Sequence, residues 1–123
     1  MNKIKLNVWG RDFNLDVIYD VYSGEDILDS QLQALETFQN KAGLLLADAS
    51  KIVEYCQKDA GTSIEGEITN IFKYVMPTSV FIKRTKEKNV VALMCDYRFD
   101  EEHGIAVVFE DEKFKKIGPQ EII

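Results

Sequence analysis

The strongest constraint on the fold is a change of hydrophobic period along the chain. Ile4, Leu6 and Val8 alternate with Lys3, Lys5 and Asn7, and Phe13, Leu15, Val17, Tyr19 and Val21 alternate with Asn14, Asp16, Ile18 and Asp20. A period of two places one set of side chains on each face of a strand, so the chain opens as two strands. Gly10-Arg11 lies between them with glycine first, the order a tight type II′ hairpin prefers.

From Ser30 the period becomes helical. Leu32, Leu35 and Phe38 recur on one face, and Ser30 with Gln33 has the spacing of a capping box, with Asp29 as the alternative cap. Gly43 interrupts, and Leu44, Leu45, Ile52, Val53, Tyr55 and Cys56 form a second helical face ending near Gly61. Ile68, Ile71, Phe72 and Val75 suggest a third, shorter helix stopped by Pro77, which cannot continue a helical hydrogen-bond ladder. After Pro77 the chain reads as strands again, in residues 80–83, 90–97, 105–109 and 114–117, with short links. The expectation is an α+β domain spanning 1–123: a mostly antiparallel sheet of about six strands, an N-terminal hairpin plus four C-terminal strands, with about three helices on one face.

Composition sets the functional classes. With 46% apolar residues in 123, one core forms without metals or disulfides. The formal charge of -6 argues against a nucleic-acid groove or an anionic membrane surface, because affinity for phosphate comes from clustered Lys and Arg. A basic protein partner fits better. Cys56 and Cys95 lack metal-ribbon or redox spacing and read as reduced core thiols. Met1 to Val8 has no continuous apolar run of the signal-peptide kind, and no stretch approaches the roughly 20 apolar residues of a membrane span. A bacterial cytoplasm is the expected location.

The chemical inventory is thin, and no cofactor is implied. His103 is the one histidine, set in Asp100-Glu101-Glu102-His103-Gly104 between two strands. Three carboxylates beside an imidazole suggest a divalent cation, but this run supplies a single nitrogen ligand and lacks the helical spacing that brings ligands to one face. A solvated turn with a permissive glycine, or a partner contact, is the reading preferred over a metal site. A serine or cysteine nucleophile would have only His103 as its imidazole base, so no catalytic residue is assigned.

Charge distribution is more informative. Asp12, Asp16, Asp20, Glu25, Asp26, Asp29 and Glu36 run without a Lys or Arg between Arg11 and Lys41, and Asp100, Glu101, Glu102, Glu110, Asp111 and Glu112 form a second base-free stretch. Brought together, they would attract a basic partner and speed its capture. Trp9 and Tyr22 fall off the inward registers beside these acids, as binding anchors do. The expected partner-binding set is Asp16, Asp20, Asp26, Glu101, Glu102, His103, Trp9 and Tyr22.

The segment Asp100-Glu101-Glu102-His103-Gly104-Ile105, followed by Ala106-Val107-Val108-Phe109 and Ile117-Gly118, resembles the signature of a family of small uncharacterised bacterial domains. Some of its members are taken to be immunity-type partners in toxin systems. Gln31, Ala34, Leu35 and Phe38 resemble the family's Gln-x-x-Ala-Leu-x-x-Phe pattern, whereas Phe99 stands where the family often has tryptophan. The resemblance implies that Asp100, Glu102, His103 and Gly104 matter, for folding or for contact. The expected function is a non-catalytic protein-binding domain, with an immunity-type protein neutralising a basic toxin as its sharper form. A small metal-assisted hydrolase around His103 and a self-associating interaction module are the alternatives.

Overall fold

The structure is a computed structural model describing residues 3–61, 64 and 66–123, so Met1 and Asn2 of the amino-terminal reading lie outside the described residues. Its elements are strands β1 (Lys3–Val8) and β2 (Arg11–Tyr19), helices α1 (Asp29–Leu45) and α2 (Ser50–Ala60), and strands β3 (Val75–Ile82), β4 (Val90–Tyr97), β5 (Ile105–Glu110) and β6 (Lys113–Gly118). A 3-10 turn, Ile71–Lys73, precedes β3, and another, Gln120–Ile122, follows β6.

The alternating residues of the first hairpin pack as their period requires. Leu6, Val8 and Leu15 are buried, and Ile4, Phe13, Val17 and Tyr19 pack against the same core. The connection differs from expectation. Val8 pairs with Arg11, so Trp9-Gly10 forms the two-residue loop, and both residues have positive φ, 52° and 90°. That is a type I′ arrangement, whose twist matches the flanking strands, and it holds a tryptophan in a region L-residues seldom occupy.

The six strands form one sheet in chain order, but the sheet is mixed rather than antiparallel. β2 and β3 run parallel, with Asp16 opposite Ser79 and Tyr19 opposite Ile82. Parallel neighbours need a crossover, and here the whole helical block supplies it, returning the chain to the end of the sheet where β2 began. Sequence periodicity carries no information on that return.

Two helices are present among the described residues, and the expected third is absent. Asn70 accepts a hydrogen bond from Phe72 N at 3.1 Å and caps a single 3-10 turn. Val75 already belongs to β3, and Pro77 sits inside that strand where the register shifts before Ser79. A strand tolerates proline at such a bulge because no ladder amide is required there. Ile71, Phe72 and Val75 thus imitate a helical stripe across a turn–strand junction. Gly43 does not interrupt α1, which runs on to Leu45, and α2 starts at Ser50, whose N donates to Asp48 Oδ1 at 2.8 Å. The buried face of α1 is Gln31, Ala34, Phe38 and Ala42, while Leu32 is exposed.

The main core lies between the sheet and the helices. A smaller apolar cluster, Val90, Ala92, Ala106 and Val108, is buried on the opposite face, packed against Phe81, Met94, Ile122 and Ile123. The Gln120–Ile122 turn therefore covers part of the sheet face that no helix reaches.

Candidate functional site

Between β4 and β5 the chain makes a turn that satisfies its own polar groups. Asp100 Oδ1 accepts from His103 N at 3.2 Å, Asp100 O accepts from Gly104 N at 2.9 Å, and His103 O accepts from Gln120 N at 3.1 Å. His103 Nδ1 lies 3.0 Å and 3.1 Å from the two Asp100 carboxylate oxygens. That hydrogen bond and charge, aided by Glu102 and Glu121, raise the His103 pKa above its ordinary 6.5. The ring is 44% exposed. Gly104 has φ +59 and lies against Cys95 O and Gln120, so the glycine of this segment is required by backbone shape and close approach. Among the described residues, no group of three or more His, Cys, Asp or Glu side chains is placed to hold a metal ion.

Glu101, Glu102 and the nearby Glu121 are exposed, and none of them, nor Asp100, is ion-paired to a Lys or Arg among the described residues. The acids of the first run are differently placed. Asp16 pairs with Lys3 at 3.3 Å across the hairpin. Asp20 Oδ2 accepts from Arg84 N, Arg84 Nη2 lies 2.6 Å from Glu25, and Arg84 Nη1 donates to Asp26 O. The Arg84 side chain is 14% exposed, and its guanidinium also faces the ring of Tyr22. The first acidic run is thus partly compensated by a cation more than fifty residues away.

Folding splits the second acidic stretch between the two ends of the sheet, and only its Glu110–Glu112 part shares an end with Asp20 of the first. Asp20 and the Glu110-Asp111-Glu112 turn lie at the Ile82–Val90 end of the sheet, whereas Asp100 to Glu102 lie at the Tyr97 end of β4. Seven residue steps along β4, at about 3.3 Å each, separate the two ends by about 23 Å. Trp9 is half-buried against Phe72, with ring centroids 6.0 Å apart, and Tyr22 is 66% exposed.

Both cysteines are free and buried. Burial pushes the Cys56 thiol up to about 11 and raises Cys95 further still, so neither is a thiolate near neutrality. Tyr97 donates to Asp59 Oδ2 at 2.8 Å, tying β4 to the end of α2. Arg84 and Gln120 are residues that sequence reasoning missed. The one signal for Arg84 was the excess of uncompensated acid in the first run, which demanded a cation from elsewhere.

The His103–Asp100 pair gives a clean test, since the chain has a single histidine. Its NMR titration should show a midpoint above 6.5, and Asp100→Asn should move the midpoint down. A folded-state pKa raised in this way contributes stability below the unfolded value of 6.5, and that contribution disappears as pH rises through the folded value. An unchanged midpoint in the variant would remove Asp100 as the cause.

No helix among the described residues is long and apolar enough to cross a membrane. Neither a curated protein nor a solved structure matches the chain. One family does match, over residues 1–123, and the chain belongs to it: the domain of unknown function DUF6985.

Proposed function

We propose that the protein is a non-catalytic binding domain that takes a basic protein partner on the carboxylates of the β4–β5 turn. The observation that carries this reading is the exposure of Glu101, Glu102 and Glu121 without Lys or Arg partners among the described residues. Unpaired surface carboxylates retain their long-range field, which steers an oppositely charged partner and weakens with salt. His103 adds a switchable positive charge beside them. Asp16, Asp20 and Asp26, with Tyr22, form a second acidic surface whose field is reduced by Lys3 and Arg84. The sharper form, a cytoplasmic immunity-type protein blocking a basic toxin, draws its support from the resemblance of the Asp100–Gly104 segment.

Pull-down from a bacterial lysate tests the proposal directly. Wild type should retain Lys/Arg-rich proteins at low salt and release them at high salt, and Glu101→Lys with Glu102→Lys should lose them. Reversing Asp16 and Asp20 should have the smaller effect. Retention of the same proteins by the Glu101/Glu102 variant, or retention indifferent to salt, would overturn the assignment.

A further inference from the structure

A second surface has the opposite character. Between the α1–α2 connection and strands β5 and β6 lies an apolar cleft of about 210 Å³, walled by Trp9, Leu45, Ile52, Val107, Phe109 and Phe114. A dry cavity of about 150 Å³ admits a benzene ring, so this cleft has room for one large apolar side chain. Its lining also includes Leu44, 81% exposed, and Phe114 is 36% exposed. A concave, mostly apolar cleft with a few polar groups at its rim is the form that binding sites commonly take.

The cleft continues into a groove between α2 and β6. The two depressions share Lys51, Phe114 and Ile117, and the groove adds Tyr55, Lys58 and Lys116. Lys51 Nζ stands 4.3 Å from the centroid of the Phe114 ring. Asp48, which lines the cleft, accepts from Ser50 N and Oγ and keeps its charge beside Lys51, and Glu54 pairs with Lys58 at 2.9 Å. Lys51, Lys113, Lys115 and Lys116 have no ion pair among the described residues. Of these, Lys51 lines both depressions and Lys116 the groove, so with Lys58 the groove presents three lysines against the one carboxylate of Glu54.

A second copy of the chain is a poor occupant at this edge. β1 and β6 are the two outer strands, and they carry Lys3 and Lys5, and Lys113, Lys115 and Lys116. Pairing either edge with another sets lysine against lysine. The extra residue in β6, where the register shifts between Phe109–Phe114 and Val108–Lys116, also interrupts the edge ladder.

We infer that the α2–β6 groove binds an acidic peptide segment, seating one large apolar side chain in the cleft and its carboxylates on Lys51 and Lys116. The cleft supplies the anchor and the lysines supply orientation and rate. This inference is independent of the acidic surface at the β4–β5 turn, since it rests on other residues and the opposite charge.

Panning a phage-displayed random 12-residue peptide library against the intact protein at low salt tests it. The expected consensus is acidic with one aromatic or leucine residue. A fluorescein-labelled consensus peptide should bind at least tenfold more weakly to Leu44→Asp, to Lys51→Glu and to Lys116→Glu, and more weakly as salt rises. All three side chains are exposed, and unchanged melting of each variant separates lost binding from lost folding. No enrichment, a basic or uncharged consensus, or equal affinity for the Leu44 and lysine variants would overturn it, as would a dimer that occludes the peptide.

Discussion

Gln31→Leu is expected to lower the stability of the fold by about 2–4 kcal/mol, read as a shift in the denaturation midpoint with unchanged slope. Gln31 is 1% exposed on the buried face of α1, where every neighbour in the stripe is apolar. Its Nε2 donates to Asp20 O at 2.8 Å and to Ile82 O at 3.2 Å, and its Oε1 accepts from Leu28 N at 2.9 Å. One side chain thereby joins the start of α1 to the ends of β2 and β3. Leucine fills a similar volume, so the loss comes from two part-buried backbone groups left without a partner, at about 1–2 kcal/mol each, the lower part of the range for buried groups. Ile82 O keeps the bond from Asp20 N, so Asp20 O and Leu28 N bear most of the cost. A change below about 1 kcal/mol would show that water replaces the amide and that the staple is dispensable.

Gly104→Ala should cost a comparable amount, about 3–4 kcal/mol, for two separable reasons. At φ +59 an L-residue incurs roughly 1–2 kcal/mol of backbone strain. A Cβ there would also lie 2.6 Å from Cys95 O and 2.7 Å from Gln120 Nε2. The carbonyl belongs to a central strand and cannot retreat, and displacing the Gln120 amide breaks its 3.1 Å bond to the same carbonyl. Gly24→Ala is the matched control: φ is +80, but no atom lies within 4 Å, so only the backbone term of about 1–2 kcal/mol applies. Equal losses at the two positions would mean that the crowding at Gly104 contributes nothing.

The first hairpin was legible because a half-buried strand must alternate, and β4 and β5, buried on both faces, were legible instead as short apolar runs between turns. The third helix was misread because Ile71, Phe72 and Val75 keep helical spacing across a boundary where a turn capped by Asn70 gives way to β3. The direction of the β2–β3 pair was hidden, since it depends on which end of the sheet the crossover returns to. Gln31 was visible only as part of a resemblance, because a polar residue on a buried stripe looks like an error until its three partners are in place. The charged surface was half legible. The acids stand in the sequence, but the Arg84 guanidinium pairs with Glu25 from the far side of the helical block, and that compensation exists only in the fold.

The parallel pair between β2 and β3 has a kinetic consequence. Strands β3 to β6 are joined by short links and can pair while the rest of the chain is disordered, but Asp16 meets Ser79 only after sixty-three residues have been looped back. Closing a loop of that length costs about 4 kcal/mol of chain entropy before any contact across it is gained. The meander is therefore the part of the sheet that assembles early, and the N-terminal hairpin joins it late, with α1 as the clasp. Gln31 bonds both to the tail of β2 and to the end of β3, so its contribution belongs to that late step. The loss in Gln31→Leu should accordingly appear as faster unfolding, with the folding rate little changed.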